Sequence, residues 1–323
     1  MSGRLSDAER TAAGLAAGPR DRRVVLAVYS SGSTAQAWQR TAAQLPTARL
    51  GAVMLHDAPR ADLGPTAREI RARGSALWYG VGIDGWARDL RSGTRTAAQI
   101  SARAVSLARI AKDQGAELVM WNGEAAFVRT PGTDDTDARV ESVLAQVFDA
   151  VAAQVGIAQG FTSYDCPLWH PIGWGEICGP RSPVSVLSLQ RYVSGGTGPL
   201  QGIGALRARH DRSAAQLRAL VARGDCRPDL ADGGPGCLPY LQIHGVQAAA
   251  TVAYAVEQRG VCLWAAGSRS DDAGAEAVAV LAAIDRAGLW GDVRGLQRVL
   301  GVTEDGAYGP ATHAAALAWA RRP

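Results

Sequence analysis

"SALWYGVGID" (75–84), a stretch with apolar Ile100, Ala104, Leu107 and Ile110 at three- and four-residue spacing, and "AELVMW" (116–121) together decide the fold. The outer pieces are short apolar runs of strand length, and the middle piece has helical periodicity. Strand, helix, strand in that order implies parallel pairing through a right-handed crossover. The pattern continues in both directions. The other runs are "VVLAVYS" (24–30), "LGAVMLH" (50–56), "IAQGFTSY" (157–164), "PVSVLSLQ" (183–190), "CLPYLQIH" (237–244) and "GVCLWAA" (260–266), with Val140, Val143, Leu144 and Val147 marking another helical face. Eight such units over about 260 residues match the size of a (β/α)8 TIM-like barrel. The main rival is an open doubly wound sheet, but no GxGxxG fingerprint follows the first run. The connection 165–182, rich in Gly, Pro and Trp, reads as a long active-site loop in place of a helix.

The chain has 323 residues, 47% hydrophobic and 20% charged, so it is long enough for one large core plus a small appendage and is not a disordered composition. The expected division is an arm at 1–22, an α/β barrel at 23–286 and a small all-α module at 287–323. The formal charge of +4 is a weak bias toward anionic surfaces, and the Arg excess reads first as codon usage, so no nucleic-acid partner is expected. No apolar run has the length of a membrane span. The opening "MSGRLSDAERTAAGLAAGPRDRR" lacks a signal-type apolar core, so action outside the cytoplasm would need another delivery route. Five cysteines fit two local disulfides, Cys166 with Cys178 and Cys226 with Cys237, plus a buried Cys262, or else five reduced thiols. Neither a metal nor another cofactor is expected, since "CPLWH" has no zinc spacing.

In the tail, "DVRGLQRVLGV" places Val293, Leu296 and Leu300 on one helical face behind a capping Asp292. "PATHAAALAW" starts a second helix at Pro310, with Thr312, Ala316 and Trp319 on one side. Leu296 and Gln297, then Asp305 and Gly306, Tyr308 and Gly309, and Thr312 follow in an order that resembles the small helical peptidoglycan-binding domain at the ends of many bacterial and phage wall hydrolases. Trp319 and Ala320 stand where that family usually has Phe-Gln. The resemblance implies wall binding through a module containing Gln297, Asp305, Tyr308 and Thr312, which would hold a catalytic domain at an insoluble polymer.

Catalytic groups in a barrel gather at the C-terminal ends of its strands. The runs end in Ser30 and Ser31, His56 and Asp57, Asp84, Asn122 and Glu124, Tyr164, Asp165 and His170, Gln190 and Tyr192, Gln242 and His244, and Trp264. Planar hydrogen-bonding groups mixed with aromatic rings suit a sugar ligand. In "MWNGEAAF" Asn122 and Glu124 are two apart and point the same way if extended. The stretch is similar to the fourth-strand acid motif of TIM-barrel glycoside hydrolases, including phage lysozyme-like barrels, with Asn122 where several members have Asp. That resemblance implies Glu124 as proton donor. Glycoside hydrolysis ordinarily takes a second carboxyl group, for which Asp84 and Asp165 rank equally and Asp57 third. Asn122, Tyr164, His170, Gln190, Tyr192, Gln242, His244 and Trp264 are the substrate-binding candidates, and Trp121, Trp169 and Trp174 are further candidates for stacking or core.

The expected activity is therefore cleavage of peptidoglycan glycan, endolysin-like, after lysis- or device-dependent delivery to the wall. Bacterial peptidoglycan and a phage tail or tail-like injection device are the expected partners. The alternative is a non-catalytic wall-binding or injection-device component on a degenerate barrel. A metal-dependent amidase finds no HExxH or comparable spacing.

Overall fold

The computed structural model describes residues 24–29, 33–44, 50–124, 134–164, 174–190, 202–231, 234–242, 248–258, 260–266 and 272–321. The arm at 1–22 lies outside them. Strands β1 (Val24–Tyr29), β2 (Ala52–Leu55), β3 (Ala76–Gly82), β4 (Leu118–Asn122), β5 (Ala158–Tyr164), β6 (Val184–Gln190), β7 (Tyr240–Gln242) and β8 (Val261–Ala266) form a closed barrel in chain order. Every neighbouring pair is parallel. Closure comes from β1 lying along β8, Val24 opposite Val261 through Tyr29 opposite Ala266. An open doubly wound sheet would leave those two strands unpaired, so the (β/α)8 reading is the one observed.

Helices α1 (Thr34–Gln44), α2 (Gly64–Ala72), α3 (Asp84–Ser92), α4 (Ala97–Asp113), α5 (Asp134–Gln154), α6 (Trp174–Cys178), α7 (Ile203–Ala222), α8 (Ala248–Val256) and α9 (Asp272–Ala287) connect and surround the strands. Ile100, Ala104 and Leu107 of α4 are buried, and so are Val140, Val143, Leu144 and Val147 of α5, as their spacing predicts. Two expectations need correction. The connection 165–182 is not free of helix: α6 forms a short turn that buries Ile177, and the Ser182 hydroxyl donates to the Ile177 carbonyl at 2.7 Å. Strand β7 also starts later than the run 237–244, at Tyr240. Pro239 has no N–H to give a ladder, and Cys237 forms an isolated bridge to Leu187 of β6.

Pleating divides the strand residues between two cores. Val24, Leu26, Leu77, Val119, Trp121, Phe161 and Leu263 face outward under the helices. Val25, Ala27, Met54, Trp78, Met120, Val186 and Tyr240 fill the interior. A register shift beside Gln159 makes a bulge in β6, where the Ser185 hydroxyl donates to the Gln159 carbonyl at 3.1 Å. The bulge lets Val184 join the outer core and Val186 the inner one, two residues apart.

The tail forms α10 (Val293–Leu300) and α11 (Pro310–Ala320). Asp292 caps α10 through a bond from Gly295 N–H at 2.7 Å, as its position predicts. The module is not a separate body. Leu296, Tyr308 and Ala316 belong to the same outer core as the barrel, Arg321 pairs with Glu276 of α9, and Gly291 N–H donates to Val256 O of α8 at 2.8 Å. The disulfide expectation also changes. No disulfide joins Cys178, Cys226, Cys237 and Cys262 to one another, Cys226 faces Cys178, and Cys166 lies outside the described residues.

Removing residues 288–323 uncovers apolar surface on the barrel helices. Losing one or two side chains' worth of burial, about 2 to 4 kcal/mol, is expected to lower the melting temperature by roughly 5 °C or more. A calorimetric comparison with the full chain checks this, and equal melting temperatures would show that the module contributes nothing to the barrel.

Candidate active site

The site is built on the end of β4. Leu118 and Met120 lie in the inner core and Val119 and Trp121 in the outer, so the pleat brings Asn122 to the inside at the C-terminal end of the strand. The chain stays extended for two more residues because Gly123 N–H donates to Thr162 O at 3.0 Å, and Glu124 N–H donates to Asp84 Oδ1 at 2.7 Å. Asn122 and Glu124 thus share a side, as their spacing predicts. Asn122 Nδ2 donates to Glu124 Oε1 at 3.0 Å.

A carboxamide from across the barrel completes this arrangement. Gln190, the last residue of β6 and 3% exposed, donates through Nε2 to Glu124 Oε1 at 2.9 Å and to Asn122 Oδ1 at 3.2 Å. Its Oε1 is buried with no hydrogen-bond partner among the described residues. His56 follows β2, and its Nε2 lies 3.3 Å from Asn122 Nδ2. Since that amide nitrogen is a donor, Nε2 must be the unprotonated acceptor. Burial is the largest influence on the ring and lowers its pKa, against the raising effect of Glu124, so the neutral form fits the geometry. Gly80 of β3 leaves room for the ring, because a Cβ there would come within 2.9 Å of His56 Cδ2 and 3.3 Å of its Cα.

Hydrogen bonds therefore bring Glu124, Asp84, Asn122 and Gln190 together. His56 joins them; its parity with Ala52 and Met54 in "LGAVMLH" was the available signal. Two amides bond Glu124 Oε1. Asp84 stands at the start of α3 and fixes the Glu124 backbone.

Asp57 is committed elsewhere: Arg60 Nη1 binds it at 2.6 Å and the Thr34 hydroxyl donates to it at 3.2 Å. Trp121 is core, packed on Trp86 at 5.5 Å between ring centroids with its Nε1 donating to Gln159 Oε1. Asp165, His170, Tyr192, His244 and Trp169 lie outside the described residues, as do Ser30 and Ser31. Tyr164, Gln242 and Trp264 are described as strand positions only, Tyr164 opposite Gln190 and Gln242 opposite Trp264 in the ladders. Among the described residues no cluster of His, Cys, Asp or Glu is suited to a metal, and no helix is long and apolar enough to cross a membrane.

In the tail, Gln297 is buried and spends its amide inside the module. Its Nε2 donates to Asp305 Oδ1 at 2.6 Å, to Ala307 O at 3.0 Å and to Thr312 Oγ1 at 3.2 Å, while Gly306 N–H donates to its Oε1 at 2.8 Å. Tyr308 and Thr312 are buried too. These side chains fasten the turn between α10 and α11.

No family model and no curated protein matches the sequence. Among solved structures, the chain is similar to a GH18 chitinase from Pseudoalteromonas aurantia, at 11% identity over 80% of this chain and 98% of that one, with a TM-score of 0.49. It is also similar to the endo-beta-N-acetylglucosaminidase from Cordyceps militaris in apo form, at 13% identity over 85% and 96%, TM-score 0.45. An L-ribulose 3-epimerase matches at 14% over 88% and 99%, TM-score 0.46. Such distant likenesses carry no argument about chemistry, which rests on the side chains.

The neutral His56 has a pH signature. Its pKa in the folded chain lies below 6.5, so the unfolded chain takes up this proton first. The stability that the neutral ring contributes is fully present above about pH 6.5 and is lost as pH falls through the folded value. Against His56→Asn, wild-type stability is expected to fall more steeply below that pH, the difference approaching about 1.4 kcal/mol per pH unit. Denaturant unfolding from about pH 5 to 8 measures it. His313, also lowered by burial, is common to both proteins and cancels, so parallel profiles would mean that the His56 pKa is the same in the folded and unfolded chain.

Proposed function

We propose that this chain is a glycosidase-type hydrolase that cleaves the glycan of bacterial peptidoglycan, with Glu124 as general acid. The observation that carries the reading is the carboxyl of Glu124 held at the C-terminal mouth of a barrel by Asn122 and Gln190. An acid restrained in this way needs little reorganisation when it protonates a leaving-group oxygen. Asp84 is the second carboxyl group, adjacent through the Glu124 backbone. In this reading it orients Glu124 and supplies negative charge beside the oxocarbenium-like centre. Asn122, Gln190 and His56 set the acid's position, and Asp165, His170, Tyr192, His244, Tyr164, Gln242 and Trp264 remain candidates for gripping sugar.

The polymer is assigned from the resemblance of the tail to wall-binding modules. Because Gln297, Asp305, Tyr308 and Thr312 bond or pack inside that module, they would shape its binding surface from within. Delivery after lysis, or by a phage tail or tail-like injection device, completes this reading. One observation favours a second reading, a non-catalytic wall-binding component. Asn122 is an amide with both its ends engaged, so the β4 end carries one carboxyl group where two would make a stronger case for chemistry.

Glu124→Gln keeps the shape and removes the transferable proton. Release of reducing ends from purified peptidoglycan is expected to fall by about 10² to 10⁴-fold, with melting temperature and sedimentation with insoluble wall retained. Wild-type protein that sediments with wall but releases no reducing ends would favour the binding reading. Release of amines instead would point to an amidase. Wall sedimentation is expected to drop on removal of residues 288–323, and unchanged sedimentation would withdraw the wall-anchoring role.

A further inference from the structure

The bottom of the barrel, opposite the mouth, holds a feature independent of the glycosidase reading. Connections from helix to following strand lie on this face: α6 to β6 (residues 179–183) and α7 to β7 (223–239). Arg227 fastens one to the other. Its backbone N–H donates to Cys178 O at 2.7 Å. Its guanidinium, 13% exposed, donates to Ser182 O and Val184 O, each at 2.7 Å, and pairs with Asp229 at 3.0 Å.

That backbone bond sets Cys226 beside Cys178. Cys178 Sγ reaches toward Asp225 O at 3.8 Å, the residue before Cys226, and the two thiols are in hydrogen-bond contact. Both residues are buried. Cys237 sits in the barrel wall, where it bridges Leu187, and Cys262 lies in the interior. We propose that Cys178 and Cys226 form an intramolecular disulfide that staples these two connections when the protein meets a thiol–disulfide oxidant.

The Cys178 thiol donating to Cys226, with Arg227 adding a favourable charge, holds the Cys226 thiol below its ordinary range. Cys226 is therefore the attacking sulfur. As a thiolate it attacks a disulfide of the oxidant, making a mixed disulfide and releasing one thiolate. Cys178, losing its proton to solvent, then attacks the Cys226 sulfur and releases the second. Two protein thiols are oxidised and one oxidant disulfide is reduced to two thiols. The loop so closed contains β6 and α7, and its ends are already tied by Arg227, so the bond fixes a geometry that is present without it.

The test uses the full chain and oxidised glutathione. Reduced protein is incubated in a glutathione redox buffer, both folded and after unfolding and refolding in that buffer. Remaining thiols are alkylated, and peptides are mapped by mass spectrometry. The expected product is the Cys178–Cys226 cross-linked peptide, two hydrogens lighter than the reduced pair, with a melting temperature about 5 to 10 °C above that of the reduced protein and reversal by dithiothreitol. Cys178→Ala and Cys226→Ala should each abolish cross-link and shift, while Cys237→Ala should keep both. Refolded protein in which both thiols are alkylated, or in which Cys226 is joined to Cys237, overturns the proposal.

Discussion

The pairing of β1 with β8 is the constraint on which the rest depends. Once Val24 to Tyr29 lie against Val261 to Ala266, the sheet has no edge, and each strand has one face toward a shared interior. Inward positions must then suit two different environments. Low in the barrel they are apolar and bulky, as with Trp78, Met120 and Tyr240. At the C-terminal end they are His56, Asn122, Thr162 and Gln190. The mouth is polar because these strands change composition at their last inward positions.

Much of this was legible in the sequence, since the interval between apolar runs is a property of the chain itself. Seven of the eight strands fall within the runs that alternate with helical spacing, β4 overruns its run by one residue, Asn122, and the shared side of Asn122 and Glu124 follows from a two-residue period. What could not be read depends on contacts between distant segments. The bulge at Ser185 changes which residues of β6 face inward, and no residue type announces it. That Asp57 belongs to Arg60 and Thr34 while Asp84 belongs to Glu124 is decided by where α1 and α3 begin. The cysteine contact was hidden for the same reason: closeness in sequence offered Cys237 as one partner for Cys226, with reduced thiols as the alternative, whereas adjacent barrel connections bring Cys178 to Cys226.

The site trades charge for amides. The hydrogen bonds to the Glu124 carboxyl come from Asn122 and Gln190, with a neutral His56 bonded behind Asn122, groups that orient a carboxyl while adding no full charge of their own. Asp84 acts through the main chain. Such a network transmits changes at unremarkable positions: a methyl group at Gly80 would press on His56, His56 bonds Asn122, and Asn122 bonds the carboxyl of Glu124.

Gln190 carries one more consequence. Both of its donors are used and, among the described residues, its buried carbonyl oxygen is an unmet acceptor fixed beside the Glu124 carboxyl. Leaving such an atom unsatisfied costs about 1 to 3 kcal/mol. A ligand whose hydroxyl or amide N–H reaches it removes that cost, and a ligand of the same shape with a methyl or an ether there does not. Among the described residues, Gln190 Oε1 is thus the position at which a ligand's hydroxyl and its methyl ether would differ.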